Sequence, residues 1–362
     1  MIERRKTRAI SIGDVSIGGE SPIVVQSMTK TDTREVKATV SQIRELSDSG
    51  CEIVRVAVKD MDAASALREI VKESPVPIIA DIHFDYRLAI SSMDAGAMGI
   101  RINPGNIGGE ERLKKVIDRA RADNVAIRIG VNSGSLEKEI LEKHGGPTPG
   151  AMVASALNCL KIFEDSNYTN IKFSLKSANV MDTVSAYREF SRVCDYPLHL
   201  GITEAGTVFK GAVKSAVGIG ILLNEGIGDT IRVSLTGDPV KEVMCAYTIL
   251  SALGIRKRGI EVISCPTCGR TEIDIVRIAD EVEERLKGID LDITVAVMGC
   301  EVNGPGEARE ADVGIAGGKG VGLLFRNGEV IKKVREEDMV DVLMEEIEKI
   351  RVEGKSKKLR SQ

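Results

Sequence analysis

The sequence predicts a TIM (β/α)8 barrel followed by a small α+β metal-binding domain, and three observations predict it. Apolar, strand-like runs alternate eight times with amphipathic helical segments between residues 23 and 253. Polar and charged residues gather at the C-terminal ends of those runs, where barrel enzymes build their sites. Beyond residue 260, Cys265 and Cys268 lie on one Pro/Gly-bounded loop and Cys300 lies on a second Gly-rich loop, which is a metal-binding pattern rather than a packing pattern.

Taken in order, the chain opens with a short hairpin, residues 8–12 and 15–17, turning at Gly13-Asp14. The eight strands follow at 23–26, 53–56, 77–82, 99–102, 126–131, 171–175, 198–202 and 230–235. Between them lie helical segments such as 63–71, 113–122, 151–163 and 239–253, with apolar positions three and four apart. A doubly wound open sheet has the same alternation, so the position of the polar residues decides. Gln26, Arg55, Asp81 with His83, Arg101 with Asn103, Arg128 with Asn132, Lys176, Thr203 with Glu204, and Arg232 with Ser234 close the strands. Contributions from every strand point to one convergent pocket, whereas an open sheet would concentrate them at a single switch point.

That pocket is rich in Arg and Lys. Cations inside a barrel mouth are costly unless an anion pairs with them, and the guanidinium fork matches phosphate oxygens, so the expected ligand is a phosphate or diphosphate. A single arginine at a strand end is more often a surface or salt-bridged residue, so the inference rests on the set. His83 and His199 both admit a structural reading, and His83, just past a strand, is the better site candidate. Glu204, between Gly201 and Gly206, is placed to act as a general acid if it is partly desolvated; otherwise it is an ordinary acid at a helix N-terminus.

The barrel spans residues 1–255, and the charged joint Arg256-Lys257-Arg258-Gly259 leads to a second domain over 260–352. Thr271-Glu272-Ile273-Asp274 resembles a capping box that starts a helix just after Cys268, and its dipole would favour thiolates there. An alternating run, 291–297, delivers Cys300. A hairpin, 321–325 and 330–334, turns at Asn327-Gly328, and a final amphipathic helix carries Met339, Val342, Leu343, Ile347 and Ile350. The basic tail 353–362 is expected to be frayed. No fourth Cys or His closes a structural zinc site, and the nearest spare ligand is Glu307, a hard oxygen donor suited to iron. The pattern favours an iron-sulfur cluster with one exchangeable corner over a disulfide or redox-active dithiol.

Composition sets the limits. Fifty Lys plus Arg against 54 Asp plus Glu leave a net charge of −4, which gives no global attraction to nucleic acid or to an anionic membrane. The chain has no run of about 18 apolar residues, and its opening Met1-Ile2-Glu3-Arg4-Arg5-Lys6 is not a signal segment, so a cytoplasmic location is expected. Of the seven cysteines, Cys51, Cys159, Cys194 and Cys245 sit among apolar neighbours and read as reduced, buried side chains.

From end to end the chain resembles the family of bacterial two-domain 4-hydroxy-3-methylbut-2-enyl diphosphate synthases of the methylerythritol phosphate route to isoprenoids. The resemblance rests on Pro22-Ile23-Val24-Val25-Gln26-Ser27-Met28-Thr29, Ala80-Asp81-Ile82-His83-Phe84, Arg101-Ile102-Asn103-Pro104-Gly105-Asn106, Leu198-His199-Leu200-Gly201-Ile202-Thr203-Glu204-Ala205-Gly206 and the two cysteine loops. It implies a [4Fe-4S] cluster on Cys265, Cys268, Cys300 and Glu307. It also implies reductive ring opening of 2-C-methyl-D-erythritol 2,4-cyclodiphosphate, with electrons from reduced flavodoxin or ferredoxin. Arg55, Arg101, Arg128, Lys176, Arg232 and Ser234 would bind the diphosphate, with Asn103, Asn132 and His83 assisting, Glu204 supplying a proton and Glu307 at the open iron. A homodimer, in which the cluster domain of one subunit caps the barrel of the other, is implied as well. Two rivals from other classes are a barrel enzyme with a purely structural zinc module and a non-catalytic iron-sulfur sensor. The acidic balance and the absence of Trp count against a nucleic-acid role for the second.

Overall fold

The computed structural model describes residues 2–103, 105–289, 291–300 and 311–360, with side chains through 353. It divides into two units, Met1–Arg256 and Lys257–Gln362.

In the first unit, strands β1 (Ile10–Ile12) and β2 (Val15–Ile17) form an antiparallel hairpin. The barrel strands are β3 (Val24–Met28), β4 (Ile53–Ala57), β5 (Ile78–Asp81), β6 (Gly99–Ile102), β7 (Ala126–Asn132), β8 (Ile171–Lys176), β9 (His199–Leu200) and β10 (Thr230–Ile231). They pair in parallel in the order β8-β7-β6-β5-β4-β3-β10-β9. The remaining seam, β8 to β9, closes through one parallel bridge, Phe173 to Leu198. Tyr187 supplements it from the helix Val180–Val193. Its buried hydroxyl accepts from the Leu175 amide at 3.1 Å and donates to the His199 carbonyl at 2.5 Å.

Sequence chemistry explains where the helices start. Asp60, Asp85, Thr148, Asn179 and Asp238 each accept a first-turn amide with the side chain, and Pro149 and Pro239 occupy first helical positions. Along each strand alternate residues face opposite ways. Val54, Val56, Ile100, Ile102, Ile127, Ile129, Phe173 and Leu175 pack outward into one large core beneath the helices. Ile10, Ile12 and Ile17 of the hairpin pack with Val24, Ile53, Ile79 and Ala126, a separate cluster that floors the barrel.

In the second unit, β11 (Glu261–Ser264), β12 (Thr294–Met298), β13 (Val313–Gly318), β14 (Val321–Arg326) and β15 (Glu329–Arg335) form a sheet in sequence order. The first three are parallel and the last two antiparallel. The helices Ile275–Leu286 and Met339–Arg360 pack on it through Ile278, Val282, Met339, Leu343 and Ile347. The expected hairpin forms at Asn327-Gly328, with φ of 49° and 77°, the left-handed pair that a two-residue turn requires.

Several expectations are corrected. The helix after Cys268 begins at Ile275, capped by Asp274, so Thr271 is not its cap. Thr271 Oγ1 accepts the Cys268 amide at 3.1 Å instead, and the helix dipole does not start at that thiol. β9 and β10 are two residues each rather than the expected five and six; past β10, Leu235 N turns to a side chain, Glu242, at 3.0 Å instead of a ladder partner. β11 has no counterpart among the expected strands. Arg256 belongs to the barrel unit, bonded to the Ile23 carbonyl at 3.0 Å and to both Glu52 oxygens at 2.8 and 2.9 Å. The last helix runs through Arg360.

Candidate functional site

The alternation that sends aliphatic residues outward sends polar ones inward. Arg55 lies between Val54 and Val56, Arg101 between Ile100 and Ile102, and Arg128 between Ile127 and Ile129, all with outward neighbours. Strand register then aligns Asp81 with Arg101, Arg101 with Arg128 and Arg128 with Lys172 across four neighbouring strands. Asn132 aligns with Lys176 further along. Arg55, Arg101, Arg128 and Lys176 are all buried, as the sequence's strand-end set requires, and Arg232 is nearly so.

Asp81 and Glu242 are buried anions of this interior, and Asp81 is the one among Arg55, Arg101 and His83. Arg101 Nη1 donates to its Oδ1 at 3.2 Å, Arg55 Nε lies 3.7 Å from Oδ2, and His83 Nε2 lies 3.4 Å from Oδ2. Burial alone would raise its pKa, but Arg55, His83 and Arg101 outweigh burial and hold the carboxyl below its ordinary value. Among the described residues Arg128, Lys172 and Lys176 have no carboxylate within ion-pair distance, and Nε and Nη1 of Arg128 have no hydrogen-bond partner. Burial lowers all three, with Arg55 and Arg101 adding to the effect on Arg128, and Arg128 and Arg232 adding to it on Lys176. Burial brings Arg55 down to about 10 despite Asp81. So many confined cations with so little negative charge call for a multivalent anion.

The other expected residues divide. Asn103 is buried, but Nδ2 donates to Ser135 Oγ at 2.7 Å and Oδ1 accepts Gly105 N at 3.1 Å, so its amide holds the loop together. Asn132, at the end of β7, and Ser234, three residues past β10, are half-buried. His83 is exposed, with Nε2 also 3.4 Å from Arg101 Nη1. His199 is fully buried, Nδ1 is 2.7 Å from Thr230 Oγ1, and burial among cations keeps its ring neutral, which is the structural reading. Glu204 is exposed and its φ is +52°, a left-handed conformation that among the described residues is otherwise adopted by three asparagines and by glycines.

Sequence reasoning missed three parts of this interior. Lys172 sits on the inward face of Ile171-Lys172-Phe173-Ser174-Leu175-Lys176, and the period of two was there to be read. Gly130 and Gly201 act by having no side chain. A Cβ on Gly130 would stand 2.7 Å from Arg101 Nε, and one on Gly201 would stand 2.5 Å from Lys176 Nζ. Glu242 is a fully buried acid facing Arg232 that reads in sequence as an ordinary first-turn helix acid.

The thiols of the second unit sit at the C-terminal ends of two adjacent parallel strands. Cys265 follows β11 directly and Cys300 follows β12 by one residue, Gly299, whose amide donates to Cys265 Sγ at 3.2 Å. Glu272 N donates to Gly299 O at 3.1 Å and ties the two loops together. Cys268 is exposed, Cys265 and Cys300 are partly so, and all three are free. Hydrogen bonds from the Arg270 backbone and side chain pull the Cys268 thiol down, whereas burial pushes Cys51 up to about 12 and Cys194 up to about 11. Among the described residues no three potential ligands stand close enough to hold a metal ion, and Glu307 lies outside the described residues. The donor set still fits iron: free soft thiols on linked loops, at least one of them biased toward thiolate.

Residues 7–247 match the GcpE TIM-barrel domain and residues 261–349 match the GcpE protein C-terminal domain. The chain belongs to the GcpE family. Its GcpE relatives include the 4-hydroxy-3-methylbut-2-en-1-yl diphosphate synthase (flavodoxin) of Geobacter sulfurreducens, 59% identical over 97% of this chain and 99% of that one. The enzyme of the same name from Maridesulfovibrio salexigens is 60% identical over 96% of this chain and 98% of its own length. That from Clostridium perfringens is 57% identical over 96% and 100%.

Proposed function

We propose that this GcpE chain catalyses the two-electron reductive ring opening and deoxygenation of 2-C-methyl-D-erythritol 2,4-cyclodiphosphate to 4-hydroxy-3-methylbut-2-enyl diphosphate in isoprenoid biosynthesis. The observation that carries this is the confined cation set of the barrel, Arg55, Arg101, Arg128, Lys176 and Arg232, with Arg128 donors unpartnered, in a chain of the length and domain order of the synthases it resembles. A cyclic diphosphate is a compact polyanion that satisfies those donors from one side.

Each residue takes a share in binding or proton supply. Arg128, Arg101, Arg55, Lys176 and Arg232 bind and orient the phosphates, Ser234 and Asn132 add polar contacts at the rim, and Asp81 holds the Arg55 and Arg101 guanidinia and the His83 ring beside one another. Asn103 assists by shaping the loop it holds. Cys265, Cys268, Cys300 and Glu307 would hold the [4Fe-4S] cluster, which when bound supplies the electrons received from reduced flavodoxin or ferredoxin. Glu204 holds the proton delivered as the ring opens. Its left-handed backbone is strain kept at a functional loop, which supports that role.

The chain works as a homodimer in which the cluster unit of one subunit serves the barrel of the other. Supporting a self-association surface, the helix Val208–Asn224 exposes an apolar stripe at Phe209, Val213 and Val217, with Met244 exposed on the helix that follows. Among the described residues no helix is long and apolar enough to cross a membrane.

The test is turnover by anaerobically purified protein with reduced methyl viologen, followed by phosphorus magnetic resonance. Conversion of the cyclic to the linear diphosphate that scales with iron content, at about four irons per chain, is expected. Tetrahedral zinc in place of iron, or no conversion by the fully loaded protein, overturns the reading. For the dimer, a mixed dimer of one Arg128→Ala chain and one Cys268→Ala chain should regain one working site. No recovery would mean that each chain works alone.

A further inference from the structure

Glu242 stands in the first turn of the helix Pro239–Ala252 and is 1% exposed. Its Oε2 accepts from Ser27 Oγ at 3.0 Å and from Arg232 Nε and Nη2, both at 3.3 Å. Its Oε1 accepts from Leu235 N at 3.0 Å and lies 3.3 Å from Lys30 Nζ. Lys30 Nζ donates in turn to Leu235 O at 2.7 Å and to Gly237 O. Every group facing this carboxylate is a donor, so only an acceptor with no hydrogens of its own satisfies them all.

The location gives these bonds their meaning. The paired part of β10 ends at Ile231, and Arg232 N makes one more bond, to Leu200 O at 3.0 Å. Past that point residues 232–237, which carry Arg232 and Ser234, are fastened by Glu242, by Lys30 and by one amide bond from Thr236 to Gly206 O at 2.9 Å. Arg55, Arg101 and Arg128, by contrast, stand on strand positions paired with both neighbours. Here a helix side chain takes over that work.

We infer that Glu242 is a positioning residue for phosphate recognition: it fixes the aim of the Arg232 guanidinium and, with Lys30, holds the 232–237 segment at the barrel mouth. The inference rests on the reading of that mouth as the cyclic-diphosphate site. Glu242 touches no substrate atom; it acts through Arg232. A glutamine in its place would turn an amide N–H toward donors and release one of them.

The experiment uses the iron-loaded full chain and the cyclic diphosphate itself, with calorimetric Kd and steady-state kinetics on Glu242→Gln, Arg232→Ala and the double variant. Glu242→Gln should raise Kd and KM about tenfold, with kcat within about twofold and iron content unchanged. In the Arg232→Ala background the same change should add less than about twofold, because the group through which it acts is gone. A Kd unchanged in Glu242→Gln, or an equal tenfold effect with and without Arg232, overturns the inference. Should Glu242→Gln fail to fold, Lys30→Met, at a partly exposed side chain, carries the test. It should raise Kd about threefold by freeing the Leu235 and Gly237 carbonyls, and an unchanged Kd overturns the clamp. If Arg232→Ala binds the cyclic diphosphate as tightly as the parent, the reading of the mouth fails, a result separate from any outcome at Glu242.

Discussion

The barrel and the small unit solve the problem of placing reactive groups in opposite ways. In the barrel, cationic side chains stand on strands whose register fixes them side by side, buried and held by Asp81 and Glu242 before any ligand arrives. In the small unit, the thiols stand on loop tips just beyond two strands, exposed or half-exposed, and packing does not gather them into a ligand set among the described residues. The cations are placed by strand register, whereas the thiols stand on loops just beyond the strand ends. A substrate pocket profits from rigidity, because electrostatic preorganisation strengthens binding, whereas a metal centre can draw its ligands together with bond energies far larger than those of loop packing.

The largest effects should separate the two. Cys268→Ala should abolish iron loading and turnover while leaving the affinity of the barrel for inorganic pyrophosphate within about twofold, as read by calorimetry and iron analysis. Arg128→Ala should do the reverse, keeping iron while weakening pyrophosphate binding about a hundredfold. If either change impaired both properties, the division of labour drawn here would be wrong.

A smaller effect probes how the barrel pocket is carved. Gly201→Ala should displace Lys176 and weaken pyrophosphate binding, at a stability cost of roughly 1–3 kcal/mol, because its Cβ would meet Lys176 Nζ at 2.5 Å and Arg232 O at 2.6 Å. Thermal melts and binding on the same sample check this. Alanine at Gly269, where a Cβ meets nothing within 4 Å, should cost the small unit little by comparison.

Smaller still is a proton effect. Burial and neighbouring cations depress Lys176 below its ordinary 10.5, so in the window between its folded value and 10.5 the unfolded chain binds a proton that the fold does not. The stability contribution of this group therefore rises with pH across that window. An arriving anion restores the proton, so pyrophosphate binding should take up protons at mildly alkaline pH, measurable as a dependence of binding heat on buffer ionisation enthalpy. Proton release would contradict the assignment.

The smallest effect on stability concerns Glu204, where turnover responds far more than the fold. Glu204→Gly should relieve the left-handed strain and leave the melting temperature unchanged or raise stability by up to about 1 kcal/mol, while turnover falls about a hundredfold or more. A variant that is both stable and fully active would remove Glu204 from the chemistry.

How legible this was in the sequence differs by region for the same reason. Barrel strands announce themselves because a run such as Ile127-Arg128-Ile129 alternates between two fixed environments, and the strand-end cations are read from the same period. Glu242 left no mark, because a first-turn acid looks the same whether it faces water or a buried arginine. β11 was hidden by its brevity and by a half-buried face that blurs the apolar alternation. The capping pattern at Thr271 misled because Thr, Glu and Asp in series offer two caps, and the one nearer the apolar run, Asp274, won.

The N-terminal hairpin has a consequence for traffic. By seating Ile10, Ile12 and Ile17 against Val24, Ile53, Ile79 and Ala126, it seals the lower end of the barrel with packed hydrocarbon. On the proposed reading of the cationic end as the binding site, a reactant and its product share that end and must pass through it in turn. Product left there excludes the next substrate, so inhibition by the linear diphosphate should be competitive, and whatever covers the rim governs departure as much as arrival.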